Sequence, residues 1–153
     1  MRTKQSRVFE KMMLGVVFFV ILTGQASAAK PITTTITYEA NCSSPAGSLA
    51  ICDGTAFTPF GNFPFFIELT VMHCAPGPET LCESWAISDP VTGFNLMSGG
   101  GKATFKAGVY SADGYVRARP GSVFSFLDGQ RDHDSGVLTG PWGTLSGKLS
   151  IRP

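Results

Sequence analysis

The chain has 153 residues, of which 12 are basic and 11 acidic, for a net charge of +1 at pH 7. This length fits one domain with a modest core, and we expect no second domain. Its 18 glycines and 10 prolines exclude a fold built on long helices, because both residues interrupt them.

The first 28 residues have the features of a cleavable signal peptide. They begin with four basic side chains, Arg2, Lys4, Arg7 and Lys11. Residues 14–22 are apolar apart from Gly15, and Ala26-Ser27-Ala28 has the small-x-small form that signal peptidase cleaves. The apolar run is shorter than the roughly 20 residues that cross a bilayer. We therefore expect a secreted or periplasmic protein with no transmembrane segment after cleavage.

Residues 29–153 are then expected to form a single β domain. Cleavage would remove four basic residues and one acidic residue, leaving 8 basic and 10 acidic side chains and a net charge of −2. A weakly acidic domain of this size argues against general binding of nucleic acid.

Alternation of apolar and polar residues predicts strands in the first half of this domain. Residues 32–40 and 63–73 both show the period of two that half-buried strands produce. The turn formers Pro76-Gly77-Pro78 follow the second run, and the chain then returns through Trp85 and Ile87. This arrangement predicts a hairpin.

Four cysteines lie in the same half, Cys42, Cys52, Cys74 and Cys82. An oxidising compartment makes disulfides their expected state, and three pairings are open. We favour Cys42 with Cys52 and Cys74 with Cys82, because each pair encloses a segment rich in turn formers. Zinc is the alternative, since His73 adjoins Cys74, but the spacings do not match paired zinc ligands.

Five phenylalanines lie close together between residues 57 and 66: Phe57, Phe60, Phe63, Phe65 and Phe66. One interpretation is an apolar loop that binds a hydrophobic ligand, a partner or a membrane surface. The other, which we favour, is that these rings close one end of a β core.

The second half continues the pattern of strands. Residues 103–109 alternate, Asp113-Gly114 predicts a tight turn, and residues 122–127 predict a further strand. Residues 144–152 show the clearest alternation, with Leu145, Gly147, Leu149 and Ile151 on the inner face. The three glycines at 99–101 predict a flexible joint between the two halves.

The polar segment 128–136 is the most plausible place for catalytic or metal chemistry, although we expect a solvated hairpin loop there. His133 is a potential base and Ser135 a potential nucleophile, but neighbouring extended residues point to opposite faces. Asp132 and Asp134 are weak calcium candidates, because a third oxygen ligand is missing. We therefore lean against an enzyme and expect no cofactor.

Basic residues concentrate beyond residue 100 and suggest a strip for an anionic polysaccharide or a phosphate-bearing lipid. The candidates are Lys102, Lys106, Arg117 and Arg119, which alternate along their segments and so pair up on shared faces. Outward faces of soluble sheets have a similar composition, so ordinary surface charge is the alternative explanation.

These patterns together predict an all-β fold of about seven or eight antiparallel strands, in a sandwich or a closed barrel, with disulfide-clipped loops in the first half. The leading functional hypothesis is an exported, non-catalytic module for binding or surface structure. The alternative is a β-barrel carrier of a small apolar ligand, and a secreted enzyme comes third. Asn41 lies in a formal glycosylation motif, and its modification stays open.

Overall fold

The computed structural model describes residues 33–44, 49–74, 77–139 and 143–153. These residues belong to one compact unit, Pro31–Pro153. The predicted signal peptide, residues 1–28, lies outside the described residues. Within the described ranges, no helix has both the length and the apolar character needed to span a bilayer.

The described chain is built almost entirely from β-strands. Their bounds are β1 Thr34–Ser43, β2 Ala50–Thr58, β3 Gly61–Met72, β4 Thr80–Ser88, β5 Asn95–Lys106, β6 Val109–Tyr115, β7 Arg117–Ala118, β8 Arg131–Leu138 and β9 Thr144–Arg152. A single turn of 3-10 helix, Ser125–Leu127, lies between β7 and β8.

Eight of these strands close into an antiparallel barrel. They pair in the order β1, β2, β3, β4, β5, β6, β8 and β9, and β9 then pairs with β1. The short β7 is an extra strand that pairs with β5 beyond the end of β6. The structure therefore confirms the predicted all-β fold, and of the two predicted architectures it shows the closed barrel.

Strand alternation places one face of each strand in the barrel interior. On β9, Leu145, Leu149 and Ile151 are fully buried, as the pattern of that segment predicted. Tyr38 and Phe65 face inward from β1 and β3, and their rings stack with centroids 4.5 Å apart. The space inside an eight-stranded barrel is just wide enough for side chains to fill.

Inward-facing glycines make room for the largest rings. A Cβ at Gly147 would overlap the Tyr38 hydroxyl, and a Cβ at Gly99 would overlap the indole of Trp85. Residues 99–101 lie within β5, so the predicted flexible joint is wrong. These glycines provide close packing inside a continuous strand.

Both predicted disulfides are present in the structure. Cys42–Cys52 joins directly opposed positions of β1 and β2, and Cys74–Cys82 lies across the β3–β4 hairpin. No described cysteine is free. Two disulfides fit an extracellular or periplasmic compartment, where thiols are oxidised.

The turn between β5 and β6 differs from the prediction. It consists of Ala107 and Gly108, with φ of 52° and 79°, whereas Asp113 and Gly114 lie within β6. Positive φ at both residues matches the right-handed twist of the flanking strands. Gly114 faces a carboxylate oxygen of Asp132 and the backbone of Gly100, so its lack of a Cβ serves packing and not a turn.

Residues 122–127 form a cap over one end of the barrel and not the predicted strand. Phe124 and Leu127 are buried. The Phe124 ring meets Phe63 and Phe60 edge-on, with centroids 5.3 and 5.6 Å apart. Part of the phenylalanine cluster thus helps to close this end of the barrel.

Candidate functional site

The predicted solvated loop at residues 128–136 is wrong, because residues 131–136 belong to β8. Residues 128–130 end the turn that precedes this strand. Gly129 adopts positive φ, and β8 then runs from Arg131. Successive side chains of β8 point to opposite faces, so Asp132 and Asp134 point into the barrel, where they are 5% and 1% exposed. Glu83 of β4 is also buried, at 5% exposure, so three acidic groups lie within the protein.

Asp134 is held by two tyrosines from other strands. The Tyr38 hydroxyl donates to Oδ1 at 2.7 Å, and the Tyr110 hydroxyl donates to Oδ2 at 3.0 Å. Burial raises the pKa of Asp134 to about 6, although these hydrogen bonds lower it. Two neutral donors thus only partly offset the cost of a buried charge.

Glu83 lies within hydrogen-bonding reach of Asp134 and Tyr110. Burial, and next the negative charge of Asp134, raise the pKa of Glu83 well above its usual value. Its Oε1 atom has no hydrogen-bond partner among the described residues. A buried carboxyl with such surroundings favours the neutral acid.

Asp132 has one hydrogen-bonded and one unpartnered oxygen. The Trp85 indole Nε1 donates to Oδ2 at 2.8 Å, while Oδ1 has no partner among the described residues. Burial raises the pKa of Asp132, and the bond from Trp85 lowers it.

The calcium hypothesis for Asp132 and Asp134 depended on a solvated loop, and β8 removes that basis. The two carboxylates bind Trp85 and two tyrosine hydroxyls instead. No group of three or more histidine, cysteine, aspartate or glutamate side chains in the described part of the chain is arranged to hold a metal ion.

A second polar region lies on the outer surface around Tyr115, the last residue of β6. We call Tyr115, Arg117, Arg131, His133 and Arg152 the Tyr115 face. Tyr115 borders two adjoining pockets of about 600 and 400 Å³. The Arg131, His133 and Arg152 side chains line the larger pocket, and Arg117 lines the smaller one.

Arg131 and Arg152 are directly opposed across β8 and β9. Like charges at such positions destabilise a sheet. Neither guanidinium forms an ion pair with a described residue, although Arg131 lies 5.8 Å from the centroid of the Tyr115 ring. The larger pocket therefore has two arginines without ion-pair partners in the described structure, although Asp113 and Asp132 also line it.

His133 faces outward and pairs with Asp113, whose Oδ1 lies 2.8 Å from Nδ1. Ser150 is the register partner of His133 on β9 and lines the same pocket. No described hydrogen bond joins His133 to Ser150 or to Ser135. The candidate base His133 therefore bonds Asp113 and not the candidate nucleophile Ser135.

The predicted basic strip is spread along the barrel. Lys102 and Lys106 are exposed on β5, and Arg117 pairs with Ser98 at the other end of that strand. Arg119 lies over the Phe94 ring at 5.2 Å. Of the strip, only Arg117 contributes to the Tyr115 face.

The five phenylalanines divide between the inside and the outside of the barrel. Phe65 is buried, Phe63 is partly buried against the core, and Phe66 is half-buried on the alternate face of β3. Phe57 and Phe60 are 38% and 48% exposed. The five rings therefore do not line one apolar opening of the barrel, and their predicted role in ligand binding stays a prediction.

Several residues of both regions are absent from the sequence-based candidates, namely Tyr38, Glu83, Tyr110, Tyr115, Arg131 and Arg152. Their partners come from strands far apart in the chain, so no local motif marks them. The period of two was the one available signal, because it puts Asp132 and Asp134 on the same strand face. Comparisons with known proteins found no matching family model, curated protein or solved structure.

Proposed function

We propose that this chain is an exported, non-catalytic binding module that holds an anionic saccharide on its Tyr115 face. The observation that carries the proposal is the position of Tyr115, which is 57% exposed and borders both surface pockets. An exposed ring between two polar pockets offers a stacking surface for a sugar ring. The proposed export rests on the predicted signal peptide.

The charges around Tyr115 support an acidic ligand. Arg131 and Arg152 have no acidic partner in the described structure, and Arg117 borders the adjoining pocket. Guanidinium groups bind carboxylate and sulfate oxygens through paired N–H donors. Asp113 beside His133 adds an acceptor for sugar hydroxyls.

The two pockets together suit an extended ligand. Each is lined by a mixture of charged side chains, hydroxyls and backbone, including Ser150 in one and Ser98 in the other. Such open, polar sites suit a chain that lies along the surface. The apolar carrier has less support, because Tyr38, Phe65 and Trp85 occupy the barrel interior.

The test is binding of heparin and of polygalacturonate, measured by calorimetry at low and high salt. We expect the Arg131→Ala/Arg152→Ala variant to bind at least about tenfold more weakly, which equals about 1.4 kcal/mol. The Lys102→Ala/Lys106→Ala variant removes the same charge elsewhere and should keep its affinity. Equal loss in both variants would show a diffuse charge effect and contradict the proposed site.

The Tyr115→Ala variant separates the contribution of ring stacking to binding from the contribution of the arginine charges. This variant keeps every arginine, so a purely electrostatic site would bind both polymers unchanged. Stacking by the ring predicts weaker binding that Tyr115→Phe restores. Wild-type protein that binds neither polymer at low salt would overturn the proposed function.

A further inference from the structure

Glu83 and Asp134 are neighbouring buried carboxyl groups without an ion-pair partner among the described residues. The groups that interact with them are Tyr38 from β1, Tyr110 from β6 and Asp132 from β8, each neutral or acidic. Tyr115 and Arg117 border the same pocket as Glu83, but no ion pair in the described part of the chain joins Arg117 to this site. Two adjacent carboxylates cannot both remain charged in such a place at low cost.

The hydrogen bonds indicate different protonation states for Glu83 and Asp134. Both oxygens of Asp134 accept tyrosine hydroxyls, which is the behaviour of a carboxylate. Glu83 shares a hydrogen bond with Asp134, whose carboxylate oxygens can only accept. Glu83 is therefore the donor in that hydrogen bond, and a carboxyl group donates only when it is protonated.

We propose that Glu83 and Asp134 form a buried proton-binding site, which holds one proton at neutral pH with Glu83 as the acid and Asp134 as the carboxylate. Release of this proton places two negative charges between β4 and β8 and weakens the barrel. The site lies inside the barrel, and Glu83 also borders the smaller pocket beside Tyr115.

The direction of the pH dependence follows from the pKa changes. Burial raises the pKa of Asp134 to about 6 and that of Glu83 well above its usual value, so the folded state binds more protons than the unfolded state. Stability is then complete below the unfolded pKa values of about 4. It falls between the unfolded and the folded pKa values, by about tenfold in the folding constant per pH unit for each group, and the loss is complete above the folded values.

The first experiment compares urea unfolding from pH 4 to pH 9 for the wild type, Glu83→Gln and Glu39→Gln. Glutamine keeps the shape and an N–H donor toward Asp134 but does not ionise, so Glu83→Gln should lose a large part of the pH dependence. Glu39 is exposed on β1, and its variant should follow the wild type. A Glu83→Gln profile parallel to the wild type would overturn the proposal.

The second experiment is infrared spectroscopy of the folded wild type at pH 7, which distinguishes a carboxylic acid from a carboxylate. We expect an acid band that disappears as the pH rises, is absent in Glu83→Gln and persists in Asp132→Asn. Absence of the band from the wild type overturns the proposal even if Glu83→Gln fails to fold. Loss of the band in Asp132→Asn alone would assign the proton to Asp132 and also overturn it.

Discussion

The hydroxyl of Tyr38 on β1 donates to Oδ1 of Asp134 on β8 at 2.7 Å, although β9 lies between these strands. The register places Tyr38 opposite Gly147 of β9, and Gly147 opposite Gly136 of β8. Neither glycine puts a side chain into the barrel at this level, so the tyrosine reaches across both. A buried polar contact thus links strands that share no backbone hydrogen bonds.

Tyr38→Phe is expected to lower the free energy of unfolding by about 1–3 kcal/mol, because Asp134 Oδ1 loses its donor while it stays buried. Urea unfolding at pH 7 measures the change. Tyr115→Phe removes the same atom from an exposed ring and should change stability by no more than about 0.5 kcal/mol. Equal stability of the two variants would contradict the role of this hydrogen bond.

Gly147→Ala should cost about 1–3 kcal/mol through overpacking, because the added methyl group overlaps the Tyr38 hydroxyl. Ser146→Ala changes the adjacent, outward-facing position of β9 and serves as the control. Thermal unfolding of both variants measures the difference. If Gly147→Ala and Ser146→Ala have the same melting temperature, the tight approach of Tyr38 to β9 is not present in solution.

The segments that were predicted well are those in which the buried positions are apolar and the exposed positions are polar. β9 alternates apolar and polar residues, so its inner face was evident from the sequence. β8 has the opposite composition, since its inward residues include Asp132 and Asp134. A run of polar residues is typical of a loop, and only tyrosines and a tryptophan from distant strands make these positions suitable for the interior.

The turn between β5 and β6 was predicted at the wrong residues for a related reason. Asp113-Gly114 and Ala107-Gly108 both contain a glycine that can adopt positive φ, and the better local motif is the first pair. The chain turns at the second pair because the β5–β6 register then sets Gly114 against Gly101, where a Cβ would not fit. The opposition of Arg131 and Arg152 also depends on register, so sequence alone did not reveal that site.

Phe124→Ala should destabilise the protein by about 3–5 kcal/mol, because the ring is fully buried where the cap closes the barrel. Phe126 lies two residues away, is 55% exposed and meets only the edge of Phe60. We expect a cost of less than about 1 kcal/mol for Phe126→Ala. Denaturant unfolding of both variants tests whether the cap is a structural part of the barrel, and similar losses would argue that it is not.

Each disulfide should contribute about 2.5–3 kcal/mol by restricting the unfolded chain, since the loops span 10 and 8 residues. Cys42→Ala/Cys52→Ala should cost more than Cys74→Ala/Cys82→Ala. Both sulfurs of the first pair lie in the core, whereas Cys74 is exposed, so only the first pair leaves a cavity on both sides of the bond. Unfolding midpoints of the two double variants measure this order, and the reverse order would contradict it.

Trp85 reports the charge of Asp132, because its indole Nε1 donates to Oδ2 at 2.8 Å. Burial raises the pKa of Asp132, so emission from Trp85 should change with a midpoint above the usual aspartate value of about 3.9. The chain has two tryptophans, and a Trp142→Phe background isolates the signal. Asp132→Asn should abolish the transition while the protein stays folded. A transition at the ordinary aspartate value, or one that survives in Asp132→Asn, would mean that the buried carboxylate is not what the indole senses.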